Sequence, residues 1–112
     1  MRLPAGLDAV VDLGKLRDYC LSSSHPRGRH KARVFASVLG LTQTDAESLR
    51  QRLLQAASDE EASIGQSDEY GDRYTVDFEL TQGSRRATIR SHWIIRRLET
   101  FPRLITCYVL LD

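Results

Sequence analysis

A short stretch near residue 30 concentrates the side chains that acid–base chemistry on a phosphate would use. Two imidazoles, His25 and His30, and three permanent cations, Arg27, Arg29 and Lys31, occur within seven residues. Cleavage of RNA by transesterification needs a base for the 2′-hydroxyl, an acid for the leaving oxygen and positive charge on the phosphorane. Histidine can serve either proton-transfer role near neutral pH. The alternative is structural: a histidine that caps a helix start, with arginines on the exposed face of that helix.

A second polar row falls on one face of a predicted strand, opposite Ile89 and Trp93. The row consists of Arg86, Thr88, Arg90, His92 and Arg96. If helices cover the Trp93 face, the row lies on the open face, where it could contact a phosphate backbone or an acidic partner protein. Asp77 and Glu79 face the same way on the neighbouring strand. As an alternative to contact with a ligand, the arginines could pair across the ladder with these two carboxylates, which would balance their charge.

The last predicted strand places two hydroxyls, those of Thr106 and Tyr108, on one face. They could position a phosphate or stabilise developing charge. The alternative is that both residues are β-formers packed in the sheet.

The net charge of +1 hides a strong pattern along the chain. The segment from Lys15 to Arg33 carries +5, the segment from Asp45 to Glu79 carries −7, and the segment from Arg85 to Arg103 carries +5. Two basic blocks therefore flank an acidic middle, and arginines outnumber lysines fourteen to two. Arginine favours bidentate phosphate contacts, so the two blocks favour a nucleic-acid or anionic partner.

The composition and motifs of the sequence argue against several classes of protein. The chain has 112 residues, 41% of them hydrophobic and 28% charged, which is typical of one globular domain spanning 1–112. No apolar run is long enough to cross a bilayer, and the N-terminus does not resemble a signal peptide. Cys20 and Cys107 favour reduced thiols in a bacterial-type cytoplasm. No residues have zinc-ligand spacing, and phosphate-binding and nucleotide-binding glycine motifs are absent, so no metal or cofactor is expected.

The elements that must position these residues divide into two halves. The apolar spacing predicts helices over 13–22, with Asp12 as N-cap, and over about 27–39. The Thr44–Glu47 capping-box pattern predicts a third helix from Thr44 to near Ser58. Leu16 and Cys20 fall on the apolar side of the first helix, which favours packing over a nucleophilic role for the thiol.

After the third predicted helix, the period of the apolar residues changes from 3.6 to 2 residues. Alternation predicts strands over 74–80, 87–96 and 104–111, the last apolar enough on both faces to be central. Residues 62–64 or 9–11 could add a short edge strand. Helices followed by an antiparallel meander predict an α+β domain in which about three N-terminal helices pack on one face of a sheet of three to four strands.

Several runs resemble a family of small bacterial domains of unknown function, found alone or at the C-terminal ends of larger toxin-like or phage-related proteins. The runs are 15–21, 25–35, 70–74, 91–94 and 102–108. The His-Pro-x-Gly-x-x-Lys-Ala pattern that begins at His25 is the most specific of them. This resemblance implies membership of the family but no activity.

The layout is more distantly similar to the barnase/EndoU/colicin/RelE-like ribonuclease toxins. That resemblance implies a site with a histidine from the helical part, here His25 or His30, together with Lys31. A strand arginine, Arg90 or Arg86, and a final Thr-x-Tyr, here Thr106 and Tyr108, would complete it.

The sequence thus leads to the hypothesis of a metal-independent endoribonuclease toxin of a toxin–antitoxin or toxin–immunity pair. His25, His30, Lys31, Arg90, Thr106 and Tyr108 are its candidate catalytic residues. Arg27, Arg29, Arg86, His92 and Arg96 are the candidate RNA-binding residues. RNA would be the substrate, and an antitoxin or immunity protein the partner. The alternative is a non-catalytic module that docks an acidic protein or nucleic acid through its basic face.

Overall fold

The N-terminal half of the chain is helical in the computed structural model, which describes residues 1–111. Helix α1 is α-helical over Leu13–Lys15 and π-helical over Leu16–Cys20, and it follows a 3-10 turn at Gly6–Asp8. Helix α2 is α-helical over Arg29–Val34 and π-helical over Phe35–Leu39. A 3-10 turn at Gln43–Asp45 leads into helix α3, Ala46–Asp59.

The second half is a four-stranded antiparallel sheet in the order β1-β2-β3-β4. The strands are β1 (Ala62–Ser67), β2 (Gly71–Gln82), β3 (Arg85–Arg96) and β4 (Arg103–Val109). Strands β3 and β4 pair in register from Ile89 with Val109 to His92 with Thr106, after which the register shifts by one residue. The predicted α+β fold is confirmed.

One face of the sheet is covered by the helices. Val76, Ile89 and Trp93 are completely buried there, as are Phe35 of α2 and Leu53 of α3. Ser91 is the polar residue buried at the centre of this face; its hydroxyl donates to the Val76 carbonyl oxygen at 2.7 Å and accepts the Trp93 indole N–H at 2.8 Å. The opposite face carries the alternating polar residues, which are half-buried or exposed.

The helix caps are confirmed at one position and displaced at another. The Asp12 carboxylate accepts the Gly14 N–H at 2.9 Å, as predicted for the start of α1. The capping box before α3 is formed by Thr42 and Asp45 rather than by Thr44 and Glu47. Both threonines precede an acid by three residues, so the local pattern could not separate the two positions.

The prediction that the last strand is central is wrong, because β4 is an edge strand. Its apolar character on both faces has another cause: α1 and α2 pack against it, and Val10 forms a parallel bridge to Arg103 along its outer edge. The fourth strand is the Ala62–Ser67 segment, whereas Val10 contributes only this bridge. No helix in residues 1–111 has the length and apolar content needed to span a membrane.

Candidate functional site

The loop before α2 is organised by His25. Its Nδ1 atom accepts the backbone N–H of Arg27 at 3.0 Å and that of Gly28 at 3.1 Å. Gly28 lies directly against α1, where a Cβ atom would overlap the Tyr19 carbonyl oxygen. The imidazole also contacts the Tyr19 ring, with 4.7 Å between the ring centroids. His25 therefore acts in the folded chain as a cap, and only Nε2 is left for other contacts.

This cap and close approach fix the start of α2 so that Lys31 faces the edge strand. The Lys31 ammonium donates to the Thr106 hydroxyl at 3.2 Å. It lies 5.2 Å from the centroid of the Tyr19 ring and 5.5 Å from that of the Tyr108 ring, within cation–π range of both. No salt bridge among residues 1–111 involves Lys31. The ammonium therefore has no carboxylate partner among these residues and has donors left for a ligand.

His92 connects the Tyr108 hydroxyl to the neighbouring strand. Its Nε2 is hydrogen-bonded to the Tyr108 hydroxyl at 3.0 Å, and its Nδ1 to the Thr75 hydroxyl at 3.1 Å. Burial lowers the pKa of His92, and the positive charges of Arg90 and Lys31 add to this effect while Asp77 opposes it. The imidazole is therefore held mainly in its neutral form at pH 7, as a general base requires.

The strand arginines are held by carboxylates. Arg90 forms a bidentate pair with Asp77, with N–O distances of 2.9 and 2.8 Å, and the pairing raises the pKa of the guanidinium. Arg86 lies 3.4 Å from Glu79. The predicted balance of charge across the β2–β3 ladder is confirmed. Arg90 is therefore oriented beside the Tyr108 hydroxyl, but its charge is largely compensated by Asp77.

The remaining predicted residues lie around this cluster at different distances. His30 is exposed and lines a cavity of about 250 Å³ together with Lys31, Val34, Tyr108 and Val109. Arg27 and Arg29 are exposed on the same helix start. Arg96 is at the far end of β3 and borders a different, larger cavity. The structure thus brings Lys31, Thr106, Tyr108, His92 and Arg90 together, with His30 at the rim.

Cys20 is a member of this cluster that sequence reasoning placed only in the core. Its sulfur lies 3.8 Å from the Thr106 hydroxyl oxygen, the same oxygen that Lys31 contacts. Hydrogen bonds from the Cys107 thiol and backbone N–H lower the pKa of Cys20 to about 6, against the effect of burial, and the Thr106 hydroxyl and the charge of Lys31 contribute to the lowering. The pKa of Cys107 is raised. Both thiols are fully buried and do not reach solvent. Cys20 contacts Thr106 from the protein interior.

Tyr19 is a further site residue that the sequence did not single out, since helical spacing indicates only a possible apolar position there. Its ring contacts both His25 and Lys31. Together these residues give an unpaired cation, a neutral imidazole and a phenol joined by hydrogen bonds at the edge of an open sheet face. This arrangement can hold an anion and accept a proton beside it, which is the chemistry of phosphoryl transfer between oxygens.

Comparison with known proteins gives a family and a shared fold. The model of a family described as "Domain of unknown function (DUF6883)" matches residues 2–111. No curated protein matches the sequence. A chain of the contact-dependent growth inhibition toxin–immunity protein complex from Klebsiella pneumoniae 342 is similar in structure, with a TM-score of 0.69 and 16% identity. The alignment covers 96% of this chain and 98% of that one, and at this identity it shows the fold alone.

Proposed function

The chain belongs to the DUF6883 family of domains of unknown function, and we propose that it is a metal-independent endoribonuclease that acts as the toxin of a bacterial toxin–immunity or toxin–antitoxin pair. The observation that carries the proposal is the contact of Lys31 with Thr106 and Tyr108, with His92 behind the phenol. The fold shared with a chain of a toxin–immunity complex supports a role in such a pair. RNA in the cytoplasm is the proposed substrate, and an immunity protein or antitoxin is the proposed partner.

In the proposed reaction, the 2′-hydroxyl of one nucleotide attacks the adjacent phosphorus atom. Its proton passes to the Tyr108 oxygen while the Tyr108 proton passes to His92 Nε2. The new 2′-O–P bond forms, the P–O5′ bond breaks, and the departing 5′-oxygen takes a proton from the Lys31 ammonium or from His30. The products are a 2′,3′-cyclic phosphate and a 5′-hydroxyl, so no metal-bound water is needed.

Each group has a role that follows from its surroundings. Lys31 carries the positive charge that meets the phosphorane, because no carboxylate compensates it among residues 1–111. His92 is neutral and therefore able to accept a proton. Thr106 orients the ammonium, and Arg90, held by Asp77, orients the phenol. His25 has a structural role in this scheme, because its Nδ1 is used as the cap.

The test is cleavage of total tRNA or rRNA by the purified protein in EDTA. The proposal predicts discrete fragments that end in 2′,3′-cyclic phosphate, and it predicts that Lys31→Met produces them far more slowly at the same protein concentration. Intact RNA with the wild-type protein, even at high protein concentration, would contradict the ribonuclease.

The alternative function is a non-catalytic module that docks an acidic protein or nucleic acid through its basic face. The pairing of Arg90 with Asp77 and of Arg86 with Glu79 weakens that alternative, because these arginines are compensated within the sheet. RNA that stays intact but shifts on a gel with the wild-type protein would favour the docking module.

A further inference from the structure

A second cavity lies on the open face of the sheet, away from the group formed by Lys31, Thr106, Tyr108, His92 and Arg90, which we call the Lys31 cluster. Its volume is about 440 Å³, larger than that of the cavity beside Lys31. Four cations line it, one from α1, one from β2, one from β3 and one from β4: Lys15, Arg73, Arg96 and Arg103. The lining contains a single carboxylate, that of Asp12, which is engaged as the cap of α1.

Two of the four cations form salt bridges within residues 1–111, and two do not. Arg73 pairs with Asp68 at 2.7 Å, and Arg103 pairs with Glu99 at 2.9 Å. Lys15 and Arg96 are exposed and take part in no salt bridge within residues 1–111. The charge of Arg96 contributes to the lowered pKa of Glu99, but Glu99 makes its direct salt bridge with Arg103. The cavity therefore offers two solvated charges to an anion, and the two paired arginines form its fixed walls.

Apolar side chains also line the cavity. Ile94 of β3 and Ile105 of β4 lie between the cations, and Val10 closes the outer side. A phosphate alone would need only charge, whereas charge beside apolar side chains fits a phosphate that carries a base or sugar.

The cavity lies next to the proposed active site along strands β3 and β4. On β3, His92, Ile94 and Arg96 follow one another on the same face, and on β4 Arg103 and Ile105 precede Thr106. Four residues of strand separate His92 from Arg96, or about 13 Å at about 3.3 Å per residue. At about 3.4 Å for each stacked nucleotide, that length holds up to about four nucleotides, and fewer in an extended strand.

Resting on the proposed ribonuclease function, we propose that this cavity is a second RNA subsite, in which Lys15 and Arg96 bind a backbone phosphate a few nucleotides from the one that is cleaved. The subsite holds the strand along β3 and β4 and so makes the protein favour RNA long enough to reach both positions.

The experiment measures binding of a fluorescent 2′-O-methyl octanucleotide, which cannot be cleaved because it has no free 2′-hydroxyl, at several salt concentrations. The variants are Lys15→Gln combined with Arg96→Gln, and Arg52→Gln as the matched control. Arg52 lines a different cavity, among Asp59, Glu60 and Glu79. Thermal melts establish that each variant is folded, and Arg96→Gln alone replaces the double variant if that one is not.

We expect the double variant to bind on the order of tenfold more weakly than the wild type. The slope of log K against log salt should fall by about 0.7 for each phosphate that the variant no longer neutralises. Arg52→Gln should change neither quantity.

Wild-type affinity and slope in the double variant would overturn the subsite while leaving the ribonuclease in place. A wild-type protein that binds no octanucleotide would also overturn it, and would direct attention to an acidic protein as the occupant. Conversely, if the wild-type protein cleaves no RNA but the double variant binds the octanucleotide more weakly, the ribonuclease is refuted and the cavity is the RNA-binding surface of a docking module.

Discussion

The two faces of β3 differ in how their polar groups are satisfied. On the buried face, Ser91 is completely enclosed, and its hydroxyl links the Trp93 indole to a backbone carbonyl. On the open face, His92 and Arg90 are half-buried and hydrogen-bonded, yet the adjacent Lys31 ammonium has no carboxylate partner among the described residues. The first face stabilises one structure, whereas the second keeps a charge available for a ligand. Alternate residues of one strand thus lie in two different environments, one enclosed and one open to a ligand.

The largest effect should come from the buried face. Trp93→Ala removes a fully buried indole, which costs about 3–5 kcal/mol, a large part of the stability of a domain of this size. We expect a protein that is mostly unfolded at 37 °C, as measured by a thermal melt followed by circular dichroism. A cooperative melt close to that of the wild type would show that the indole is not the centre of the core.

On the open face, His92→Gln should leave the fold intact and reduce cleavage by roughly 10²–10⁴-fold, because a general base is lost. The lowered pKa of His92 predicts that the acid limb of the wild-type kcat/KM profile lies below pH 6.5, the ordinary value for histidine. That limb should disappear in the variant. An acid limb unchanged by the substitution would assign the base to another residue.

The same lowered pKa has a consequence for stability. His92 stays neutral in the folded protein at pH values where it is already protonated in the unfolded chain, so the unfolded chain binds more protons. Its contribution to stability is therefore present above about pH 6.5 and is lost as the pH falls through the folded-state pKa. Urea unfolding at pH 7.5 and pH 5 should show a smaller loss in His92→Gln than in the wild type. Equal losses would indicate an ordinary pKa in the folded state.

A smaller effect, again on the buried face, should follow Ser91→Ala. The substitution leaves the buried Trp93 N–H without its acceptor, which costs about 1–3 kcal/mol. Ser63→Ala, at an exposed position of β1, is the control and should change stability by less than about 0.5 kcal/mol. Equal midpoints of urea unfolding for the two variants would mean that the buried hydroxyl is dispensable.

The smallest change concerns the cap of α2. His25→Ala removes the acceptor of two backbone N–H groups, and by analogy with other caps this should cost about 1 kcal/mol. Cleavage should fall less than in His92→Gln, because the substitution acts through the position of Lys31. A loss of activity as large as that of His92→Gln, with unchanged stability, would place His25 in the chemistry.

Local patterns were enough to predict the order of the elements, the Asp12 cap and the division of β3 into a Trp93 face and an Arg90 face. These features depend on periodicity and on residues that are close in sequence. The edge position of β4 could not be predicted from its composition. A strand against which helices pack and a strand at the centre of a sheet are both rich in apolar residues, so the sequence does not distinguish them.

The Lys31 cluster was only partly predictable for a similar reason. Lys31 and Thr106 are 75 residues apart, and their contact depends on how α2 docks against β4. Tyr19 and Cys20 join the cluster through the packing of α1, which the sequence shows only as an apolar helix side. The importance of His25 was visible in the sequence, but its structural role depends on the direction of Nδ1.

The charge of Lys31, which has no carboxylate partner among residues 1–111, is expected to serve catalysis and not folding. The rate of RNA cleavage in EDTA by Lys31→Met, measured beside a thermal melt of the same protein, separates the two roles. Methionine keeps an apolar stem while removing the ammonium that lies within cation–π range of Tyr19 and Tyr108. We therefore predict a melting temperature near that of the wild type and a rate lower by roughly 10²–10³-fold. Wild-type cleavage by folded Lys31→Met would contradict a catalytic role for this charge.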